Sequence, residues 1–339
     1  MTLFEQKKLE KWGVVDFGYT TEATPLTREH YNQWVHNSEH LPLTYLEGER
    51  QQKRQSLKEH WPEFQSALVF LFSYHESHQL LQAIYKKNPP SWNGLKLASY
   101  ALGFEGEDYH HLIKARLIAI GESLKTDFAD LEYKLTLDTH PVLERDLAMR
   151  AGIGWFGKNS MLINRGHGSF FIIGSILLNQ QLPIDESLIK KEMETDHCGQ
   201  CTRCIDACPT DAIDPVSRTI TARDCISTFT IEQFKLETVP SEKMTLKDGF
   251  VFGCDICQDV CPWNKRVDRE NSPVDSHFRH QKQKQIIDFF LMKKITDLAL
   301  ELEAMSEGAF RRLFQNTSFE RSGRRGILKN IRHYLLDKK

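Results

Sequence analysis

All eight cysteines of this 339-residue chain fall between Cys198 and Cys261. The first four form the run Cys198-x2-Cys201-x2-Cys204-x3-Cys208-Pro209, the spacing with which bacterial ferredoxins hold cubane iron–sulfur clusters. Three closely spaced thiolates wrap one cluster. The x3 interval carries the fourth along a helical turn toward a second cluster, and Pro209 ends that turn. A variant, Cys254-x2-Cys257-x3-Cys261-Pro262, follows, with its first ligand displaced 29 positions upstream to Cys225. By the exchange rule of two-cluster ferredoxins, one 4Fe–4S cluster takes Cys198, Cys201, Cys204 and Cys261, and the other takes Cys208, Cys225, Cys254 and Cys257. Every thiol is used. Paired four-cysteine zinc sites are the rival, but zinc ribbons use two separated C-x2-C pairs rather than this run and its variant. A disulfide scaffold would spread its cysteines over the fold. Thiolate ligands suit a reducing compartment, so a cytoplasmic protein is expected. Two such clusters move electrons one at a time, and the remainder of the chain must hold what receives them.

The elements that would do so are legible as an α+β pattern over roughly residues 1–185. Residues 1–60 read as largely helical and polar. The opening stretch, MTLFEQKKLEKWG, reads as an amphipathic helix without an export core, one that stays on the mature protein. Ser66 to Tyr74 (SALVFLFSY) reads as a buried strand, and Pro89, Pro90 and Gly94 mark a loop. Ile113, Leu117, Ile120 and Leu124 keep helical spacing, which predicts an amphipathic helix over Tyr109 to Lys125. A strand is expected over Leu131 to Leu137, a helix over Val142 to Ala151, and strands near Ser160–Asn164 and Ser169–Leu178. Neither G-x-G-x-x-G after a strand nor a P-loop is present, so dehydrogenase and NTPase readings lose their main support. The longest apolar runs, Ala67 to Phe72 and Phe170 to Leu178, fall well short of the about 20 residues a membrane span requires.

Charge is unevenly spread. The formal net charge is −2, yet from Gln281 onward 13 Lys and Arg face 7 Asp and Glu, a balance of +6 against −8 for the rest. A basic tail on an acidic body fits an anionic partner, or simply a solvated helical face.

Four stretches, in order along the chain, carry a resemblance: SYALGFEGEDYHHLIKARL (Ser99–Leu117), LDTHPVLERDLAMRAGIGWFGKNSMLI (Leu137–Ile163), CGQCTRCIDACPTDAI, and GCDICQDVCPWNK (Gly253–Lys265). Together they resemble the epoxyqueuosine reductase family over roughly residues 1–335. The resemblance implies a nitroreductase-like cobalamin-binding catalytic domain (1–190), a ferredoxin-like domain with two 4Fe–4S clusters (191–266), and a basic helical C-terminal segment (267–339) that contacts tRNA. Longer members continue into a repeat of helical hairpins, of which this sequence reaches only the first helix. The implied reaction is reduction of epoxyqueuosine to queuosine in a tRNA anticodon, the last step of queuosine formation. Cob(I)alamin, recharged by the clusters, is the implied reductant. Flavodoxin or ferredoxin is the expected electron donor, and no membrane is involved.

Residue by residue, the resemblance makes Asp138 the proton donor to the departing oxygen, a role that needs a raised pKa. On its residues alone, Asp138 or Thr139 reads equally as a helix N-cap before Val142–Ala151. Asp108 and His110 would line the substrate pocket; alternatively they begin a helix. Arg54, Arg145, Lys158, Asn159, Ser160, Ser169 and Asp255 are the implied cobalamin contacts, joined by Asp138. Amides, hydroxyls and a few cations suit corrin amides and a phosphate. Gly152, Gly154 and Gly157 would let main chain approach closely, or simply make turns. In the tail, Arg311, Arg312, Arg321, Arg324, Arg325, Lys329 and Arg332 would meet phosphates, while Phe310 and Phe314 are expected in the core. Two rivals stand beside this reading. One is a corrinoid reductive dehalogenase. The other is a non-enzymatic two-cluster electron carrier.

Overall fold

The computed structural model describes residues 9–184, 195–234, 239–270 and 280–338. The expected N-terminal helix falls largely, and the expected 190/191 boundary entirely, on residues outside these. The described strands are β1 (Val14–Thr20), β2 (Ser66–Ser73), β3 (Lys96–Leu97), β4 (Tyr133–Thr136), β5 (Trp155–Phe156), β6 (Leu162–Ile163), β7 (Phe171–Leu178) and β8 (Phe250–Phe252). The chain folds into two compact units that interleave in sequence: Met1–Ser73 with His110–Cys201, and Tyr74–Tyr109 with Thr202–Lys339. Residues 74–109, inside the expected 1–190 domain, thus pack with the second unit.

The first unit is built on an antiparallel sheet of order β1-β2-β7-β4. One face meets the helix Tyr109–Asp127. Its Ile113 and Leu117 close so tightly on Gly174 that a side chain there would stand 3.1–3.2 Å from them. The other face buries Val69, Leu71, Ile173 and Leu177 against Leu147, Ala148 and Ala151, and against Leu57, Trp61 and Phe64. The mixed α/β class therefore follows from sequence, and β2, β4, β6, β7 and the long helix stand where expected. Strand β1 does not: 1–60 is not simply helical. Asp16 and Gly18 interrupt its apolar pattern, and each has a local reason. Asp16 accepts a hydrogen bond from Asn164 Nδ2 at 2.7 Å. Gly18 lies so close to the Ala151 carbonyl that a Cβ would sit 2.2 Å from it.

The second unit is mainly helical. The helix His75–Lys87, absent from the sequence reading, packs Leu80 and Leu81 into its core. β3 pairs in parallel with β8, Lys96 opposite Phe250 and Leu97 opposite Phe252. The C-terminal helices Gln281–Phe290, Ile295–Ala304, Glu307–Leu313 and Phe319–Asp337 follow. Phe290, Phe310, Phe314 and Phe319 are wholly buried, with Phe290 stacked on Phe319 at 4.6 Å between ring centres. Phe310 and Phe314 are core residues, as expected, and cannot serve as stacking platforms. Among the described residues no helix is long and apolar enough to cross a membrane.

Candidate active site and cluster ligands

In the first unit, strand β4 ends at Thr136 and the chain turns at once through Asp138. The next helix, Glu144–Arg150, starts six residues later with Leu143 at its N-cap position and no side-chain cap bond. Asp138 is therefore no helix cap. Its Oδ1 lies 2.8 Å from Nε2 of His110, on the first turn of helix Tyr109–Asp127. The turn is held from outside: Arg50 Nη2 donates to the Thr139 carbonyl at 2.7 Å. Arg50 in turn offers its own carbonyl to buried Arg54 (Nη1, 3.1 Å), whose guanidinium lies 5.9 Å from the Tyr31 ring centre.

Glu144 joins this group, and the sequence reading missed it. It keeps some accessible surface, yet its Oε1 is fully buried and has no hydrogen-bond partner among the described residues. Burial, then the Asp138 carboxylate, pushes its carboxyl well above the ordinary range, with Arg145, His110 and Arg54 partly offsetting. The adjacent Leu143-Glu144-Arg145 run was visible in the sequence. Nothing in the spacing, however, marked this carboxyl as the buried one.

Arg145 is exposed and donates through Nη1 to the Ser160 carbonyl. Ser160 has a positive φ of 59° in a turn closed by its N–H to the Gly157 carbonyl, 3.0 Å. Asn159 and Ser169 are buried, 2 % and 5 % exposed. Asn159 Oδ1 accepts from Met161 N–H at 3.2 Å. Lys158 Nζ donates to the Gly199 carbonyl at 2.7 Å, and its backbone N–H donates to Cys198 Sγ. Arg145, Lys158, Asn159 and Ser160 are thus brought together by one turn. The close approach at Gly154 and Gly157 is to the chain's own Ile163, 2.5 Å and 2.6 Å from a built Cβ, so these glycines serve the β5–β6 pair.

Asp108 and Asp255 belong to the second unit. The Asp108 N–H donates to the Asn316 carbonyl at 2.7 Å. Asp255 is buried and its Oδ2 accepts from both the N–H (2.7 Å) and the hydroxyl (2.6 Å) of Ser99.

The thiols are all free of disulfides. In the second unit, burial and then the neighbouring thiols of Cys225, Cys204 and Cys208 push the Cys257 thiol up. Cys254 is raised by burial and by Cys257. Crowded sulfurs of this kind become thiolates only beside a positive centre. N–H donors already face them: Ala212 N–H reaches Cys208 Sγ at 3.3 Å, Thr228 and Ser227 N–H reach Cys225, and Ile256 N–H reaches Cys254. Such donors stabilise sulfur that carries negative charge.

The basic tail is less free than its composition suggests. Arg321 pairs with Glu232 at 2.5 Å and Arg332 with Glu303 at 2.7 Å. Arg324 and Arg325 share Glu307 at 3.5 and 3.6 Å. Lys329 is buried, so it cannot meet a phosphate as expected. Arg311 and Arg312 remain exposed.

Residues 54–139 match the family described as epoxyqueuosine reductase QueG, DUF1730, and residues 197–264, which hold all eight cysteines, match a 4Fe-4S double cluster binding domain. An epoxyqueuosine reductase of Cyclobacterium marinum is 33 % identical over 332 residues, covering 97 % of this chain and 95 % of that one. The chain belongs to the epoxyqueuosine reductase family. It is accordingly an oxidoreductase with a double 4Fe–4S cluster domain, and the zinc reading is set aside. Two solved structures of the family share the fold, each over 98 % of this chain and 80 % of its own: one with a tRNA-Tyr epoxyqueuosine-modified stem loop (TM-score 0.68, 24 % identity), and one from Bacillus subtilis with its catalytic aspartate loop swung out of the active site (TM-score 0.68, 22 % identity).

Proposed function

We propose that this protein reduces epoxyqueuosine to queuosine at the wobble position of a tRNA anticodon, the last step of queuosine formation. The observation that carries this reading is the family likeness spanning nearly the whole chain, 97 % of it at 33 % identity. A relative crystallised with a tRNA stem loop supports the substrate class.

Removing an epoxide oxygen takes two electrons and two protons. The eight cysteines would hold the two clusters in the sets expected from spacing, each passing single electrons. Asp138, in the turn after β4, is the proton donor in this reading; a relative of the same fold also carries an aspartate on its catalytic loop. His110, at 2.8 Å, orients its carboxyl and can return a proton to it. Asp108 lines the substrate side in this reading.

The catalytic unit is read as nitroreductase-like and as the holder of a cobalamin. Its residues fit such a group: an unpartnered buried carboxyl oxygen on Glu144, the guanidinium of Arg145 held on the Ser160 carbonyl, and amide and hydroxyl groups around one tight turn. Arg54, Asp138, Arg145, Lys158, Asn159, Ser160 and Ser169 would hold it. Asp255, committed to Ser99, would contribute least. When bound, a cobalamin supplies low-valent cobalt as a two-electron reductant. The tRNA phosphates would meet the tail chiefly at Arg311 and Arg312. Flavodoxin or ferredoxin would supply electrons in a cytoplasmic setting.

Anaerobic incubation with cobalamin, a reductant and an epoxyqueuosine-bearing anticodon stem-loop, followed by mass measurement, tests the proposal. Loss of one oxygen from the nucleoside is expected. Stoichiometric corrin binding with release of halide from organohalides instead would favour the dehalogenase reading, and failure to bind corrin would leave only a carrier.

A further inference from the structure

We infer that Lys329 and Asn330, neighbours on the last helix, are positioning residues for the second iron–sulfur cluster. The inference rests on reading Cys225 as a ligand of that cluster. In the first cysteine run, three ligands sit in one short loop, so local backbone geometry spaces them. Cys225 is different: it comes from 29 positions before Cys254, and only tertiary contacts can align the two.

The helix Ile226–Ile231 begins immediately after Cys225, and its first-turn N–H groups of Ser227 and Thr228 point at the Cys225 sulfur. Any rotation of this helix therefore moves the sulfur. Lys329 Nζ donates to the carbonyls of Phe229 (2.8 Å) and Gln233 (2.7 Å), and lies 3.7 Å from the Phe229 ring centre. Carbonyls at a helix's C-terminal end lack partners within the helix, and a cation there is favoured. Asn330 Nδ2 donates to the Thr230 carbonyl (2.9 Å) on the same helix and to the Val251 carbonyl (2.8 Å) in β8. Two residues beyond β8 stands Cys254. Between them, the Gly253 N–H donates to Thr230 Oγ1 at 3.0 Å, and that hydroxyl donates to the Ile226 carbonyl at 2.8 Å.

One dipeptide thus ties the helix that carries the displaced ligand to the strand that delivers Cys254 and Cys257. Both residues are buried, 9 % and 0 % exposed. Burying an ammonium group is costly, and an apolar side chain would fill the space more cheaply. The donors are kept because the helix end and the strand must be held at a fixed separation.

The test uses the purified full-length protein with its clusters. Lys329→Met keeps the length of the side chain and removes its donors. The expected result is a native circular dichroism spectrum with iron falling from about eight to about four per chain, and a residual EPR spectrum matching that of Cys225→Ala. Unchanged iron and unchanged reduction potentials in Lys329→Met would overturn the inference. Should Lys329→Met fail to fold, Asn330→Leu, of similar size, removes the ties to the Thr230 and Val251 carbonyls and leaves Lys329 in place. It is expected to shift the potential of one cluster and leave the other alone; no shift would overturn the inference. Lys338→Met, at an exposed lysine capping the C-terminal end of the same helix, should leave both quantities unchanged. Cys225→Ala retaining about eight irons would sink the ligand reading by itself. Lys329→Met retaining them while Cys225→Ala does not would sink the tie alone.

Discussion

Asp138 and His110 meet at 2.8 Å although 28 positions separate them, one in the turn that ends β4 and the other on the first turn of a long helix. The pairing gives the carboxyl a fixed direction and a neighbour able to exchange a proton. Asp138→Asn should therefore lower turnover of an epoxyqueuosine stem-loop by about 10²- to 10⁴-fold, with iron content intact. His110→Ala should lower it less, because the acid itself remains. Single-turnover rates read by mass decide the matter, and a fully active Asp138→Asn would remove the proton-donor role.

Arg50 holds the Asp138 turn by its contact with the Thr139 carbonyl. Arg50→Met should loosen residues 137–143, raising their hydrogen exchange and reducing kcat by up to about 10²-fold, with KM little altered. Unchanged exchange in that turn would show that Arg50 does not restrain it.

Glu144 supplies a pH signature. Its carboxyl is raised above an ordinary value of 4.5 by burial and Asp138, against the pull of Arg145, His110 and Arg54. The folded state then binds more protons than the unfolded chain above that value. The stability it contributes is complete below pH 4.5 and drains away as pH climbs through the raised value. Glu144→Gln should flatten this decline. Denaturant unfolding at pH 5 and pH 8 is the check: the wild type should lose more stability between the two than the variant, and parallel losses would contradict the assignment.

Phe290 stacks on Phe319 and Phe314 with no exposed surface. Phe290→Ala should cost about 3–5 kcal/mol of stability, read by chemical denaturation. A loss below about 1 kcal/mol would mean that the cluster of rings repacks freely around the cavity.

The cysteine constellation was legible because cluster ligation demands fixed intervals that survive in one dimension. The buried strand β2 was legible as a short, nearly unbroken apolar run, and the helix beginning at Tyr109 by the helical spacing of its apolar residues. Strand β1 was not, since Asp16 and Gly18 answer to partners far along the chain, Asn164 and Ala151. Neither was the helix His75–Lys87, two of whose buried side chains are histidines rather than apolar residues. At the candidate site, Asp138, Arg145 and Ser160 were named through family motifs. Glu144 and Arg50 were not, because burial of one carboxyl and a bond to one carbonyl are properties of the folded chain. Lys329 misled in the opposite direction: a lysine in a basic run looks solvated, and only packing reveals it as a buried donor.

The pairing of β2 with β7 has a consequence for how the protein is made. Ser66 lies opposite Leu178, so a strand whose side chains are almost all apolar leaves the ribosome long before its central neighbour has been translated. Until then it has only β1 beside it, and one hydrogen-bonding edge stays bare. Nascent chains arrested between these two strands therefore expose a bare apolar edge that can pair with another chain.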